Sequence, residues 1–570
     1  MRDVLRGGTQ GLSRRNGTAG APRRARPGQK TSEEDPRTVS RRARLGSASA
    51  LGALAAAAPL GRAFAQRAPA PAMPKPFAFS YEGLVARAEA AARAAYMAPY
   101  RPMPEVTAAI DYAKWGEIRF RTEAAPFADA GAYPVTFFHL GQYFQKSVKM
   151  HLVADGQATE FPYDQSLFSM PEDNPARKLP ADSGFAGFRF QEWSGSDDWE
   201  TQDWLAFLGA SYLRAIGASG QYGLSARGVA INPALPDAPE EFPDFTEFYI
   251  GESEDPEAPV AVHALLDGPS VTGAFRFSVE RGRDRTRGVV MEVEAQMFLR
   301  RDVARLCLAP LTSMFWDGEY GRERAFDWRG EVHDSDGLEL WLANGERLWR
   351  PLNNPVATQV SAFAAENPRG FGLMQRDRDF DHYRDGVNYE RRPSLWVEPI
   401  APLGRGAVQL LEIPTNDEIH DNIGAFWVPE RPAKAGSAWR LHYRLHWLDG
   451  HPDPAVNIAQ TVSTRIGRGG QPGHARPENT WKIAVEFDRP EVLTKIPYGV
   501  MPEVVASTPA GRIVRTFVEP VPGGNVWRAF FDLEIGPDEV AELRMYMALD
   551  GEPLTETWTY QFRRANLIPS

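Results

Sequence analysis

Beyond about residue 130 the chain is dominated by short runs in which apolar and polar residues alternate, the period of a half-buried strand. YPVTFFHL, VKMHLVAD, GFRFQEW, FTEFYIG, VAVHALLDG, GAFRFSVER and GVVMEVEAQMFLRR are of this kind, separated by turn residues. Two stretches depart from the pattern. YEGLVARAEAAARAAYMAPY predicts a helix with Leu84, Ala88, Ala91 and Ala95 on one face and Ser80 as its cap. DWLAFLGASYLRAIG predicts a second helix, the main interruption of the β pattern.

One hairpin can be specified in detail. LELWLANGERLWRPL places Asn344-Gly345 between two alternating segments, the strongest short hairpin signal. A two-residue turn pairs Ala343 with Glu346, Trp341 with Leu348 and Glu339 with Arg350. Glu339 and Arg350 are then expected to form a cross-strand pair. After DGHPDPAVNIAQ (449–460), a polar linker containing Pro, alternation resumes in WKIAVEF, IVRTFVEPVPGGNVWRAFFDLEI and AELRMYMALDGEPLTETWTYQF. Hairpins over 461–570 predict a small immunoglobulin-like β-sandwich. It follows a large, mostly antiparallel unit over 77–448, so the fold class is all-β.

The first 65 residues change the picture. They carry 13 Lys+Arg and only 4 Asp+Glu. Within SRRARLGSASALGALAAAAPLGRAFAQ lie a twin arginine (Arg41, Arg42), an Ala/Leu run and the small-residue motif Ala63–Ala65. This is the layout of a bacterial twin-arginine export signal over 1–65, cut after Ala65. A disordered Pro/Ala lead-in follows over 66–76. Removal of the signal leaves 51 basic and 70 acidic residues, a net charge of −19. Such a surface repels nucleic acid and anionic lipid, and no other stretch is long and apolar enough to span a membrane. The single cysteine, Cys307, excludes internal disulfides. Its apolar surroundings (ARLCLAPL) mark it as a buried structural thiol.

No GxSxG, P-loop or CxxC motif is present. HDSDG lacks the remaining ligands of a calcium loop, and His442 and His446, four apart in a strand, lack the further ligands zinc needs. The remaining signal is carboxylate clustering. Asp334 and Asp336 form one group, Asp377, Asp379, Asp381, Asp385 and Glu390 a second, and Asp417, Glu418 and Asp421 a third. Each abuts aromatic or apolar sequence. Glycoside hydrolysis needs a carboxyl to protonate the leaving oxygen and a carboxylate to activate water. Aromatic rings, of which the chain has many (15 Trp), also stack on sugar faces. A solvated acidic turn fits the same pattern.

Longer words are more specific. GFAGFRF, FLGASYLRA, YGLSARGVAI, EFPDFTEFYI, LTSMFW, EVHDSDGL, NGERLWRPLNNP, NPRGFGLMQRDRDFDHYRD, RRPSLWVEP and DNIGAFWVPE run in order from about residue 77 to the C-terminus. In these the chain resembles the periplasmic osmoregulated-glucan biosynthesis proteins, the MdoG/OpgG–OpgD family, and the twin arginine resembles the OpgD branch. The resemblance implies a large galactose-mutarotase-like β-sandwich followed by an immunoglobulin-like one. It implies periplasmic location, β-1,2-glucan as ligand, and inverting endo-β-1,2-glucanase activity. The alternatives are a transglycosylase that closes or branches the glucan, and a non-catalytic glucan-binding or scaffold protein serving the inner-membrane glucan glucosyltransferase. The resemblance places the general acid at Asp421 and the general base at Asp334. Glu418, Tyr389 and Arg392 line the site, Tyr389 as a candidate proton relay, with Asp336 as a supporting acid. No metal or cofactor is expected, and a homodimer is permitted. The segment between Asp385 and Arg391 is about one residue shorter than in OpgD relatives, which reshapes the loop carrying Tyr389.

Overall fold

The computed structural model describes residues 74–129, 131–281, 287–320, 327–453, 457–488, 490–522 and 526–567. The expected export signal and most of the lead-in lie outside them. The fold is all-β. One long sheet runs through Val260–Asp267, Val271–Glu280, Val290–Leu299, Ala438–Leu448, Ser394–Pro399, Gly370–Met374, Gly337–Trp341 and Arg347–Pro351. A ten-stranded sheet includes Gln359–Glu366, Arg405–Glu412, Ile423–Pro429 and Leu306–Ser313. Alternation puts Val262, Phe275, Val293 and Leu445 of the first sheet into one core with Leu311, Val408, Leu410 and Trp427 of the second. This is the face-to-face packing of a sandwich. Cys307 is buried, as its neighbours imply, and burial holds its thiol well above the usual range.

The long sheet does not stop at Arg347–Pro351. It continues through a parallel pairing, Leu348 with Thr557 and Trp349 with Trp558, into Thr557–Arg563, Val540–Leu549 and Glu503–Ser507. Those strands face a four-stranded sheet of Gln460–Arg468, Thr480–Asp488, Trp527–Glu534 and Arg512–Pro520. The second core between them holds Trp481, Phe531, Met545 and Trp558, and it also takes in Trp349, Met374 and Trp396 from the earlier strands.

Three expectations need correction. DWLAFLGASYLRAIG is not a helix but a hairpin of Asp203–Leu208 and Tyr212–Ala215, with Leu205 opposite Ala215. Gly209 and Ser211 take positive φ at its turn, and Leu213 and Ala215 are buried on either side of Arg214. Sheet burial outweighs the local helix preference of the Ala and Leu residues. The Asn344-Gly345 hairpin has a register one residue away from the expected one. Leu342 pairs with Glu346 around a three-residue loop, with Gly345 at φ +95. Glu339 then lies opposite Trp349, and Leu338 opposite Arg350. The N-terminal helix, Tyr81–Ala92, is capped by Ser80 as expected, but it ends before Ala95, which is exposed.

The shifted register leaves Glu339 without Arg350 and completely buried. It is met instead by Arg376 at 2.9 Å, His451 at 2.9 Å and Arg347 at 3.4 Å. Arg376 also binds Glu556 at 2.7 Å and lies 3.6 Å over the Trp349 ring. Arg350 turns to Glu412, at 3.0 Å. Burial works to raise the Glu339 carboxyl, but Arg376 and His451 outweigh it and hold it well below its ordinary value of 4.5. A depressed carboxyl stabilises the fold fully above its unfolded value, and that contribution is lost as pH falls through the native one. Denaturant titrations should therefore show stability declining with acid below about pH 4.5. Glu339→Gln should lower stability by roughly 3–5 kcal/mol at neutral pH, since it strands buried cations.

Candidate functional site

HDSDG is not a solvated turn. Phe315–Asp317 and Val332–His333 form a two-stranded ribbon in which Phe315 pairs with His333. The Asp334 amide donates to Met314 O at 2.8 Å, the Ser335 and Ser313 hydroxyls meet at 2.7 Å, and the Asp336 amide donates to Met374 O at 2.9 Å. His333 is buried against Phe315, with Glu331 and Gln375 each 2.9 Å from its ring nitrogens. Burial works against its charge, but Glu331 outweighs burial and raises its pKa.

The Asp334 carboxylate accepts a hydrogen bond from Arg392 Nη1. Arg392 is itself almost fully buried and follows the short turn Tyr389–Arg391; its guanidinium lies 4.2 Å over the Tyr389 ring. Burial, and then Arg214, push its pKa down to about 9, while Glu418 and Asp421 oppose the shift. It remains charged at neutral pH. Its Nε and Nη2 are buried and have no partner among the described residues.

Asp421 reaches this place through its neighbour. Asn422 is buried, accepts from the Phe315 amide at 2.8 Å and donates to Phe315 O and Ile413 O, both at 2.9 Å. Phe315 pairs with His333, the residue before Asp334. A single tie, Asn422 to Phe315 to His333, thus fixes two carboxylates from separate parts of the sequence. Asp421 keeps about 34% of its side chain exposed and meets Arg214 at 3.4 Å. Arg214 is oriented by its Nε, which donates to Ser225 Oγ at 2.6 Å.

Glu418 accepts from Arg329 at 2.7 Å and from the Tyr389 hydroxyl at 2.6 Å. Burial, then Glu418, hold the Tyr389 hydroxyl well above its usual range. Arg329 also binds Asp385 at 3.1 Å and Asp327 at 2.8 Å. Four of the six expected residues, Asp334, Arg392, Tyr389 and Glu418, therefore share one connected set of contacts, and Asp421 is related to it through its neighbour Asn422.

Asp336 stands apart. It accepts from the Arg376 and Asp377 amides at 3.0 and 2.8 Å. It lines a cavity of about 30 Å³ with Glu319, Glu331, His333, Asp377 and Ser463, among others. Burial pushes its carboxyl up to about 6, against the pull of His333. Glu319, which accepts from Ser463 Oγ and the Thr464 amide, is pushed by burial up to about 8. Two groups, Glu331/Asp377/His382 and Glu292/Glu294/His442, bring metal-type ligand atoms within 4.8 Å of one another. In each the histidine already pairs with a carboxylate, His382 with Asp377 and His442 with Glu292, and these pairs account for the approach.

Reading the sequence by residue type missed Arg329, Arg214, Asn422 and Glu319. Only Arg214 carried a usable local signal. Read as a strand, YLRA buries Leu213 and Ala215 and turns Arg214 away from the core.

A family profile described as periplasmic glucan biosynthesis protein, MdoG, matches residues 79–562. The chain is 53% identical over 492 residues to glucans biosynthesis protein D 2 of Ralstonia nicotianae, covering 85% of this chain and 90% of that one. It is 42% identical over 496 residues to glucans biosynthesis protein D of Xanthomonas campestris pv. campestris, covering 86% and 91%. A similar match, 42% over 494 residues covering 86% and 90%, is to glucans biosynthesis protein D of Stenotrophomonas maltophilia.

Two outcomes are expected. Asn422→Ala strands buried backbone groups of Phe315 and Ile413 and should cost roughly 2–4 kcal/mol by urea unfolding. Glu319 binds its proton more tightly folded than unfolded, so its contribution falls as pH rises from 4.5 to about 8. Glu319→Gln should flatten that part of the pH–stability curve, as read from denaturation midpoints across the range.

Proposed function

The chain belongs to the MdoG family of periplasmic glucan biosynthesis proteins, and from that premise we propose that it is an inverting endo-β-1,2-glucanase. Asp421 is the general acid and Asp334 the general base. The observation that carries the reading is the Asn422–Phe315–His333 tie, which holds two carboxylates in unlike surroundings on one framework. Such a difference in environment is how paired carboxyls come to play opposite roles.

Asp334 is buried against a guanidinium. That partner suits the ionised form a base must have. Asp421 is open to solvent on one side and has only a long contact to Arg214. Its open side leaves room for a leaving oxygen to approach. Arg392 Nε and Nη2 have no partner among the described residues, and in this reading they are donors for a water of the relay. The Tyr389 hydroxyl donates to Glu418 and its ring lies under the Arg392 guanidinium; in this reading Tyr389 is a member of the proton relay that serves Asp334. An inverting pair leaves about 6.5–9.5 Å for one water, and a relay accommodates a wider gap. The catalytic unit is 77–448, followed by an immunoglobulin-like unit over 461–570. The reading places the mature protein, after removal of a twin-arginine signal, in the periplasm.

The test is incubation of the purified protein with linear β-1,2-glucan and separation of the products. New reducing ends are expected. Cyclic or branched products without them assign a transglycosylase instead, and no conversion assigns a glucan-binding role. Asp421→Asn and Asp334→Asn should each lower turnover by about 10²-fold or more. His442→Ala and a chelator should leave it unchanged. Full activity in Asp421→Asn would remove the acid assignment.

A further inference from the structure

The chain has 15 Trp, and among them only Trp328 is exposed, at 73%. An indole is the largest apolar side chain, and leaving it in water forgoes the stabilisation of burying it. Its position is specific. Trp328 precedes Arg329, whose guanidinium lies 6.0 Å from the Trp328 ring and 5.9 Å from the ring of half-buried Trp316. That guanidinium is held by Glu418, Asp385 and Asp327. Arg329 thereby links the exposed ring to Glu418, the carboxylate that accepts from Tyr389. Ile419, next to Glu418, is also exposed, at 61%.

The chemistry around the ring selects the occupant. A protein partner needs a contiguous apolar patch of hundreds of Å². Here a single indole is bordered by Arg329, Asp327 and Asp385. A pyranose ring matches that surface. Its C–H face packs flat on an indole, while its hydroxyls point outward to charged donors and acceptors.

We propose that Trp328 is a sugar-binding platform that stacks on a glucosyl unit of the glucan, away from the linkage being cut. The inference rests on the glucan reading above. It adds a subsite on the Arg329 side of the site, with Arg329 holding the ring in place through Glu418 and Asp385.

The experiment measures binding of linear β-1,2-glucooligosaccharides by calorimetry and tryptophan fluorescence. Each protein carries Asp421→Asn, so that the ligand stays intact. The parent should bind, with a shift in its emission. Trp328→Ala should bind about tenfold more weakly and lose most of that shift, whereas Trp328→Phe, which keeps a ring, should stay within about threefold. Equal affinity and an equal spectral shift in Trp328→Ala would overturn the platform while leaving the glucan reading intact. Failure of the parent to bind would remove the glucan reading itself, and the platform with it.

Discussion

A carboxylate removed from water must be met by a cation or by several donors, and this requirement organises both the fold and the site. Glu339, in the middle of the hairpin, gathers Arg347, Arg376 and His451. Arg376 in turn reaches Glu556, far along the chain. Arg350 and Glu412 close a similar pair beneath the ten-stranded sheet. The same rule gives Asp334 its Arg392 and Glu418 its Arg329. The acidic clusters that first look like solvated turns are thus anchor points, each drawing in a basic residue from another strand or loop.

The site stands where such anchors meet strand ends. The ribbon of Phe315–Asp317 with Val332–His333 is short, and pairing alone would not make it rigid. Asn422 makes two hydrogen bonds to its Phe315 and a third to Ile413, and the Ser313–Ser335 contact ties it to the ten-stranded sheet. Functional loops held by a rigid scaffold are the common solution for placing reactive groups. Here the scaffold is the sandwich, and the tie is the amide side chain of Asn422, next to the candidate acid Asp421.

Much of the fold was legible because burial on one face writes a period of two into the sequence. Val290–Leu299 alternates throughout and Val271–Glu280 does so from Phe275 on, and both are strands. The errors have physical causes. Asp203–Leu208 is buried along nearly its whole length, so it shows no alternation to separate strand from helix. The hairpin slipped by one residue because Asn-Gly permits both two- and three-residue loops, and only the packed sheet chooses. Legibility of the site followed another rule. The acids stood out as clusters, but their assignment to roles came from the family resemblance. Their partners Arg214, Arg329 and Arg392 lie 207, 89 and 58 residues from the acids they meet. No local pattern encodes contacts of that range.

The parallel pairing of Leu348 and Trp349 with Thr557 and Trp558 has a consequence for how the chain can be divided. Where one sheet belongs to two cores, the strand between them has no margin of its own. Severing the last hundred or so residues would bare a row of unpaired amides and carbonyls along Arg347–Pro351, an open template for another chain. It would also take Glu556 from Arg376 and uncover Trp349. The hairpin that follows Asp334 is therefore completed by a strand some 210 residues further along, and the candidate base acquires its full setting only once that strand has been made.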